Sequence, residues 1–349
     1  MTTKQSRGRN FQYSYHIAKP APGGPGFRNP VDMVFYENMI FAISRGTEGE
    51  PCGRVGKFTK DERFVGQFAT YGTGDGQFIW PTALAVDEQG LVYMADEWLN
   101  RVSVYDGNGE WEGEILETSD KFKPNYLRHW GKSGSELGEL DGPAGMVFDQ
   151  DHNLYITENQ NHRVSKFTKD GEFLFAFGKQ GSGEGEFMNP WGINIDSKGD
   201  IYVADWGNGR VQKFSPDGSF IMSFGSYGQG QGELDRPGGV AVDKDGDVFI
   251  TDWWGNKVEV FDPEGKHLIT LNGDATGLSK WGQEVADANL AGSGGQGAVA
   301  IEDPELAAKI EEGNKSFGRP KAIRIDEDGL IGILEEGKSR IQFYYKNMS

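Results

Sequence analysis

Apolar residues along this chain fall in short runs separated by small polar turns, and one stretch shows the pattern in full. Met188-Asn189-Pro190-Trp191-Gly192-Ile193 is an apolar strand begun through a proline. Asp196-Ser197-Lys198-Gly199-Asp200 turns the chain, and Ile201-Tyr202-Val203-Ala204-Asp205 makes a second strand. Trp206-Gly207-Asn208-Gly209 turns it again, Arg210 to Phe214 is a third strand, and Ser219 to Phe224 a fourth after Ser215-Pro216-Asp217-Gly218. Four short strands joined by Asp, Gly and Pro turns predict an antiparallel meander. Nothing here has the length or the period of a helix.

The unit recurs. Prolines at strand starts stand at Pro30, Pro81, Pro143, Pro190, Pro237 and Pro320, with spacings of 51, 62, 47, 47 and 83 residues. The basic period is therefore about 47 residues, in the propeller range, and the excesses are insertions of 4, 15 and 36 residues. A lone four-stranded unit cannot bury both faces, so the units must stack around an axis as blades. The expectation is an all-β, six-bladed β-propeller of four-stranded antiparallel blades.

After Pro320 the chain supplies only three strands, Ala322 to Ile325, Leu330 to Leu334 and Arg340 to Tyr345. Before Pro30 there is one orphan strand, within residues 11–17. The N-terminal strand thus fits as the outer strand of the last blade, closing the ring without an open edge. Residues 1–10 read as a tail and 11–349 as a single propeller domain.

The 52 glycines sit in periodic turns rather than in a low-complexity tract, which excludes a disordered chain. No apolar run is long enough to span a bilayer, and no hydrophobic segment follows the first residues as a signal peptide requires, so a cytoplasmic protein is expected. The single cysteine, Cys52, excludes an internal disulfide framework and lacks an evident histidine partner. A formal charge of −18, with 35 basic residues scattered against 53 acidic ones, argues against nucleic-acid and anionic-membrane partners.

The run Ala204-Asp205-Trp206-Gly207-Asn208-Gly209-Arg210-Val211-Gln212, with Pro190 ahead of it and Asp217-Gly218 behind, resembles the NHL repeat. So do Ala95-Asp96 with Asn100-Arg101-Val102, Glu158 with Asn161-His162-Arg163-Val164, and Thr251-Asp252 with Asn256-Lys257-Val258. The resemblance covers roughly residues 11 to 345 and implies a propeller. It does not imply one activity, since similar propellers include RNA-binding and protein-binding modules, extracellular sensor domains and peptidyl-hydroxyglycine amidating lyase. Gluconolactonase, paraoxonase and strictosidine synthase share the six-bladed shape with less similar repeats. Blades one and six depart from the pattern, at Ser44-Arg45 with the longer loop after it and at Leu334-Glu335-Glu336-Gly337-Lys338-Ser339-Arg340.

In such a blade the loop from strand two to three and the link to the next blade open on one face, here termed the top. Trp80, Trp98, Trp191, Trp206, Trp253 and Trp254 all fall on top-face segments. They read either as packing between blades or as an aromatic mouth for flat apolar or cationic ligands. The longest insertion, residues 273–316, also leaves from the top, and its polar, glycine-rich and short helical parts suit a lid, a decoration or a docking arm. Asp96, Glu158, Asp205, Asp252 and Glu335 occupy one repeat position and read as acceptors for turn amides; facing the axis instead, they would form a ring able to hold a divalent cation such as calcium. His162 fits the same pattern and reads as structural.

Non-repeating polar residues are the stronger candidates for chemistry. Asp32, Asn194 and Arg324 replace small or apolar residues on innermost strands, and Arg45, Arg236, Arg319 and Lys321 stand at blade starts or a top loop. Asp32, Arg324, Asn194 and Arg45 are the candidate catalytic groups, while the six tryptophans with Arg236, Arg319 and Lys321 are candidate ligand contacts. Asp32 and Arg324 also fit a buried ion pair between blades six and one. The five histidines do not converge as an amidating-lyase zinc site would need, and zinc, phosphate-loop and Gly-x-Ser-x-Gly patterns are absent. Two functions remain in view. One is a lyase- or hydrolase-like enzyme on an aromatic or cationic small molecule; the other is a non-catalytic protein- or peptide-recognition scaffold.

Overall fold

Proline begins every innermost strand, where its missing N–H removes no ladder hydrogen bond. In the computed structural model, which describes residues 3–6, 8–18, 21, 23–46, 53–108, 126–275, 279–281, 283 and 314–348, these strands lead six antiparallel sheets. Blades one to five lie within residues 30–68, 81–130, 143–177, 190–224 and 237–271, each with its four strands in sequence order. The six first strands contact one another in a closed ring.

The last blade is closed as expected. Arg9–Ala18 pairs antiparallel with Arg340–Met348, placing Tyr13 opposite Tyr344 and Ala18 opposite Arg340. One feature differs from the expected tail. Thr3–Ser6 folds back on Arg9–Gln12 as a fifth strand, and the Ser6 hydroxyl donates to the Leu268 carbonyl of blade five. An exposed strand edge carries unpaired amides and carbonyls, and this hairpin satisfies them.

Six apolar clusters occupy the six blade-to-blade junctions. The second strands are apolar almost end to end because neighbouring blades cover both of their faces; Ile40, Phe41, Ala42 and Ile43 are all buried. The core is thus a ring of interfaces rather than one centre.

The recurring acids are clamps for the top loops. Asp205 accepts the Met188 amide at 2.7 Å, Asn208 Nδ2 at 2.8 Å and Arg210 Nε at 2.9 Å, while Arg210 Nη2 donates to the carbonyls of Gly183 and Glu186. Glu158 with Arg163 and Glu335 with Arg340 repeat the device. Asp96 and Asp252 serve backbone amides, with Arg101 and Lys257 holding the link carbonyls. In blade one Ser44 takes the acid's place and accepts the Arg28 amide. These five carboxylates, each the last residue of a second strand, are therefore buried beneath the top loops and do not form the axial calcium ring considered above. Among the described residues no cluster of His, Cys, Asp and Glu suits a metal ion.

A second repeated device joins neighbours. Asn100, His162 and Asn256 sit in the left-handed region at φ 48°, 53° and 54°, ahead of the clamping Arg or Lys. Their side chains accept the amides of Gly142, Asn189 and Arg319, each just before the next blade's proline. His162 is one of these bridges.

The described part of the long insertion does not cover the top. Ser279 donates to the Ala18 carbonyl, and the buried Trp281 packs on Phe27 and Phe58 and donates through Nε1 to the Glu62 carbonyl. Residues 279–281 thus lie on the flank of blades six and one, where Trp281 finds an apolar slot. Residues 284–313, with the expected short helix, lie outside the described residues, as do Cys52 and most of the blade-two insertion.

Candidate functional site

Three repeat positions in each blade point at the top of the axis: the residue before the strand-starting proline, the residue after it, and the residue after the clamping acid. In blade three these are Gly142, Ala144 and Asn159, all small or amide residues. In each of the other five blades they include a tryptophan or a charged residue, and these blades enclose a cavity of about 270 Å³ lined by Arg45, Trp80, Glu97, Trp191, Trp206, Gly238, Trp253, Lys321 and Glu336. Gly238 keeps the floor open. A β-carbon there would lie 3.0 Å from the Lys321 carbonyl oxygen and 3.7 Å from Trp253 Cβ.

The cavity has two unlike walls. Blades four and five give Trp191, Trp206 and Trp253, an aromatic wall. Blades six, one and two give Lys321, Glu336, Arg45, Glu97 and Trp80, a charged wall. The Arg45 guanidinium lies 3.9 Å from the Trp80 ring centre, and Lys321 Nζ 5.6 Å from that of Trp191, both in cation–π range. Trp253 Nε1 donates to Glu336 Oε2 at 2.8 Å. The other oxygen of Glu336 is 3.7 Å from Arg45 Nη2 and 3.8 Å from Lys321 Nζ, too far to accept a hydrogen bond. Asn159 Nδ2 donates to Glu97 Oε2 at 3.2 Å.

Low dielectric under the indole rings moves these groups toward their neutral forms. Burial raises the Glu97 carboxyl above the usual range, against Asn159, Lys321 and Arg45, which lower it. Burial lowers the Lys321 ammonium, opposed by Glu336 and reinforced by the like charge of Arg45. Arg45 is lowered by burial as well, with Glu336 and Glu97 opposing. A carboxyl that holds its proton longer and an amine that sheds one sooner are the ingredients of general acid–base catalysis.

The structure does not bring the four candidate catalytic groups together. Arg45 alone lines the cavity. Asp32 and Arg324 form an ion pair at 2.7 Å, and Asp32 also accepts the amides of Met33 and Leu84, both at 2.8 Å. They border a small void of about 20 Å³ deeper on the axis, tying blades six, one and two. Burial raises the Asp32 carboxyl, with Arg324 opposing. Asn194 Oδ1 accepts the Val242 amide at 3.3 Å, a link between blades four and five.

Of the candidate ligand contacts, Trp80, Trp191, Trp206, Trp253 and Lys321 line the cavity. Trp98 and Trp254 face solvent, 71% and 55% exposed. Arg236 lies over Trp206 at 4.6 Å and Tyr227 at 5.7 Å, and Arg319 over Trp253 at 5.3 Å, on the outer side of the aromatic wall. Glu97 and Glu336 are absent from the sequence-based set. Each directly follows a clamping acid, in register with Arg45, Trp206 and Trp253, so aligning the blades residue by residue would have found them.

Residues 140–167, 187–214 and 234–261, within blades three to five, match the NHL repeat. The sequence matches no curated protein. Among solved structures, a streptogramin B lyase is similar with a TM-score of 0.54 at 12% identity, over 97% of this chain and 98% of that one. A catalytically inactive histidine-to-alanine variant of virginiamycin B lyase from Staphylococcus aureus, with quinupristin, has a TM-score of 0.55 at 12% identity, over 97% and 99%. A protein of unknown function from Bacteroides thetaiotaomicron has a TM-score of 0.58 at 18% identity, over 98% and 77%. At these identities the likeness is one of fold. Among the described residues no helix is long and apolar enough to cross a membrane.

Proposed function

We propose that this six-bladed NHL-repeat propeller binds a small planar molecule in its top cavity and acts on it by lyase-type acid–base chemistry. The observation that carries the reading is the cavity itself, where three indole faces stand against Lys321 and Glu97, two groups shifted in complementary directions. In the reading, the Glu97 carboxylate, made more basic by burial, takes a proton from a carbon of the ligand and the electron pair forms a new double bond. The adjacent bond to the leaving group breaks, and the Lys321 ammonium, made more acidic by burial, protonates the departing atom. Arg45 steadies the negative charge that develops between these events.

The lyases that share the fold lend precedent for such chemistry on this scaffold. The mechanism is not carried over from them. The inactive Staphylococcus aureus variant lacks a histidine, whereas none of the five histidines here lines the cavity. Proton transfer is therefore assigned to Glu97 and Lys321.

The test is a screen of planar aromatic compounds bearing a leaving group, followed by calorimetry and by mass analysis of products. Binding lost in Trp206→Ala and turnover lost in Glu97→Gln with binding retained would support the enzyme. Binding without turnover across the screen would leave a ligand-binding module. A recognition scaffold is the second reading, favoured by the exposed Trp98, Trp254 and Tyr227 on the same face. It predicts that Trp98→Ser with Trp254→Ser abolishes capture of a protein partner and leaves small-ligand binding intact.

A further inference from the structure

We infer that the ligand of the top cavity is an anion, a planar aromatic carboxylate held by Arg45 and Lys321 with its ring against Trp206 and Trp253. The inference rests on the proposed ligand-binding role of that cavity and names the chemistry of its occupant.

Three observations carry it. First, the Arg45 guanidinium and the Lys321 ammonium make no hydrogen bond to any described residue, and their nearest acidic atom, Glu336 Oε1, stands off at 3.7 and 3.8 Å. Arg163, a clamping arginine of the same repeat, is engaged by contrast: it donates to Glu158 and to three link carbonyls. Two cations with idle donors at the mouth of a cavity are a receptor for two acceptor oxygens, and the planar guanidinium fork fits a carboxylate.

Second, all four cavity tryptophans already carry a cation against a ring. Arg45 lies on Trp80, Lys321 on Trp191, Arg236 on Trp206 and Arg319 on Trp253. A cationic ligand would compete with them and be repelled, which turns the sequence-based expectation of a cationic substrate around.

Third, the local charge opposes the global one. The chain carries −18 overall, yet four cations gather around this mouth. Asp235 neutralises part of Arg236, and Glu336 is engaged by Trp253. Glu97, the other acid of the lining, accepts from Asn159 Nδ2 at 3.2 Å.

The experiment is calorimetry of the full chain with three matched probes, naphthoate, naphthylmethanol and naphthylmethylamine. Naphthoate is expected to bind about tenfold or more tighter than the alcohol, the scale of one charge-assisted hydrogen bond, and the amine weakest of all. Arg45→Met and Lys321→Met should each erase most of that preference, bringing the ratio of acid to alcohol affinity toward one. Trp206→Ala should weaken acid and alcohol alike. Glu336→Gln keeps an acceptor for Trp253 and removes a charge, so it should tighten naphthoate severalfold, a gain that misfolding cannot produce. Amine binding equal to or tighter than acid, or a preference that survives both methionine variants, overturns the anion inference and leaves the cavity reading standing. Failure of all three probes to bind the unaltered chain overturns the cavity reading itself.

Discussion

Trp253 and Glu336 are joined across the junction of blades five and six by a 2.8 Å hydrogen bond from the indole Nε1 to Oε2. The bond couples the aromatic wall of the cavity to its charged wall, and it holds Glu336 back from Arg45 and Lys321. Trp253→Phe keeps a ring but removes the donor. Glu336 is then free to pair with the two cations, and naphthoate affinity should fall severalfold. The stability cost should stay near 1 kcal/mol, the net worth of one hydrogen bond. Calorimetry and urea unfolding of the same variant read both quantities.

The clamping acids should be expensive to lose. Asp205→Ala leaves the Met188 amide, Asn208 and Arg210 without their common acceptor in a buried loop. A loss of about 3 kcal/mol is expected, since removing one partner of a buried charged network strands the others. Denaturant unfolding measures it. A loss under about 1 kcal/mol would mean that solvent reaches Arg210 and the clamp is dispensable.

The closing strand should make the ring sensitive to acid. Burial pulls His16 down from 6.5 to about 4, and Arg340 pushes the same way. Between those values the unfolded chain binds a proton that the folded chain refuses. Stability is therefore full above pH 6.5 and drains as the pH falls toward 4, by up to about 3 kcal/mol from this group. Because carboxylates also titrate at the acid end, the comparison that isolates His16 is His16→Leu. Its stability should change less across that window than that of the parent chain, and parallel curves would refute the assignment.

The lower rim of the same closure holds an unequal pair of cations. Lys346 Nζ meets Asp243, Asp245 at 2.8 Å and Asp247 at 2.7 Å, and Arg9 Nη2 donates to Asp247 at 2.7 Å. Lys346→Met leaves three carboxylates crowded with one counter-charge. Arg9→Met leaves them with Lys346. The first should cost about 3 kcal/mol and the second about 1, a difference that thermal melting resolves, and added salt should narrow it.

Binding of an anion should weaken on the alkaline side. Burial lowers Lys321 from its ordinary value of 10.5, so its charge, and with it part of the naphthoate affinity, should fade below the usual lysine range. Lys321→Arg keeps a charge at all accessible pH and should flatten the profile. Calorimetry across a pH series tests this, and an identical fall in both proteins would assign the effect elsewhere.

Much of this architecture was legible because the repeat states it several times. Pro190, Asp205 and Arg210 recur with their spacing, and each copy confirms the others, so strand number, ring closure and the role of the acids follow from the pattern. The cavity was only partly legible, for the opposite reason. Trp191, Trp206 and Lys321 stand out as large departures from a small-residue template, but Glu97 and Glu336 are ordinary surface-type residues beside a conspicuous acid. Their meaning comes from the converging geometry of blades distant in sequence. Asp32 and Arg324 are the converse case: both are unusual on an innermost strand, and of the two readings left open by the sequence it is the ion pair that their contacts with each other, Leu84 and Met33 display. The hairpin at residues 3–6 was invisible because its partner edge arises only when Arg9–Ala18 has docked.

The pairing of Arg9–Ala18 with Arg340–Met348 also sets a timetable. As the chain emerges during synthesis, the early strand cannot complete blade six until Arg340–Met348 has been made. Blades one to five can assemble in order, yet the ring stays open and the two apolar junctions of blade six stay wet until that strand arrives. A chain broken off before residue 340 would keep that open edge for good, exposing Phe11 and Ile17, which are buried in the closed ring. Sealing the last blade thus acts as a checkpoint, in which only a chain made through residue 348 hides its own adhesive surface.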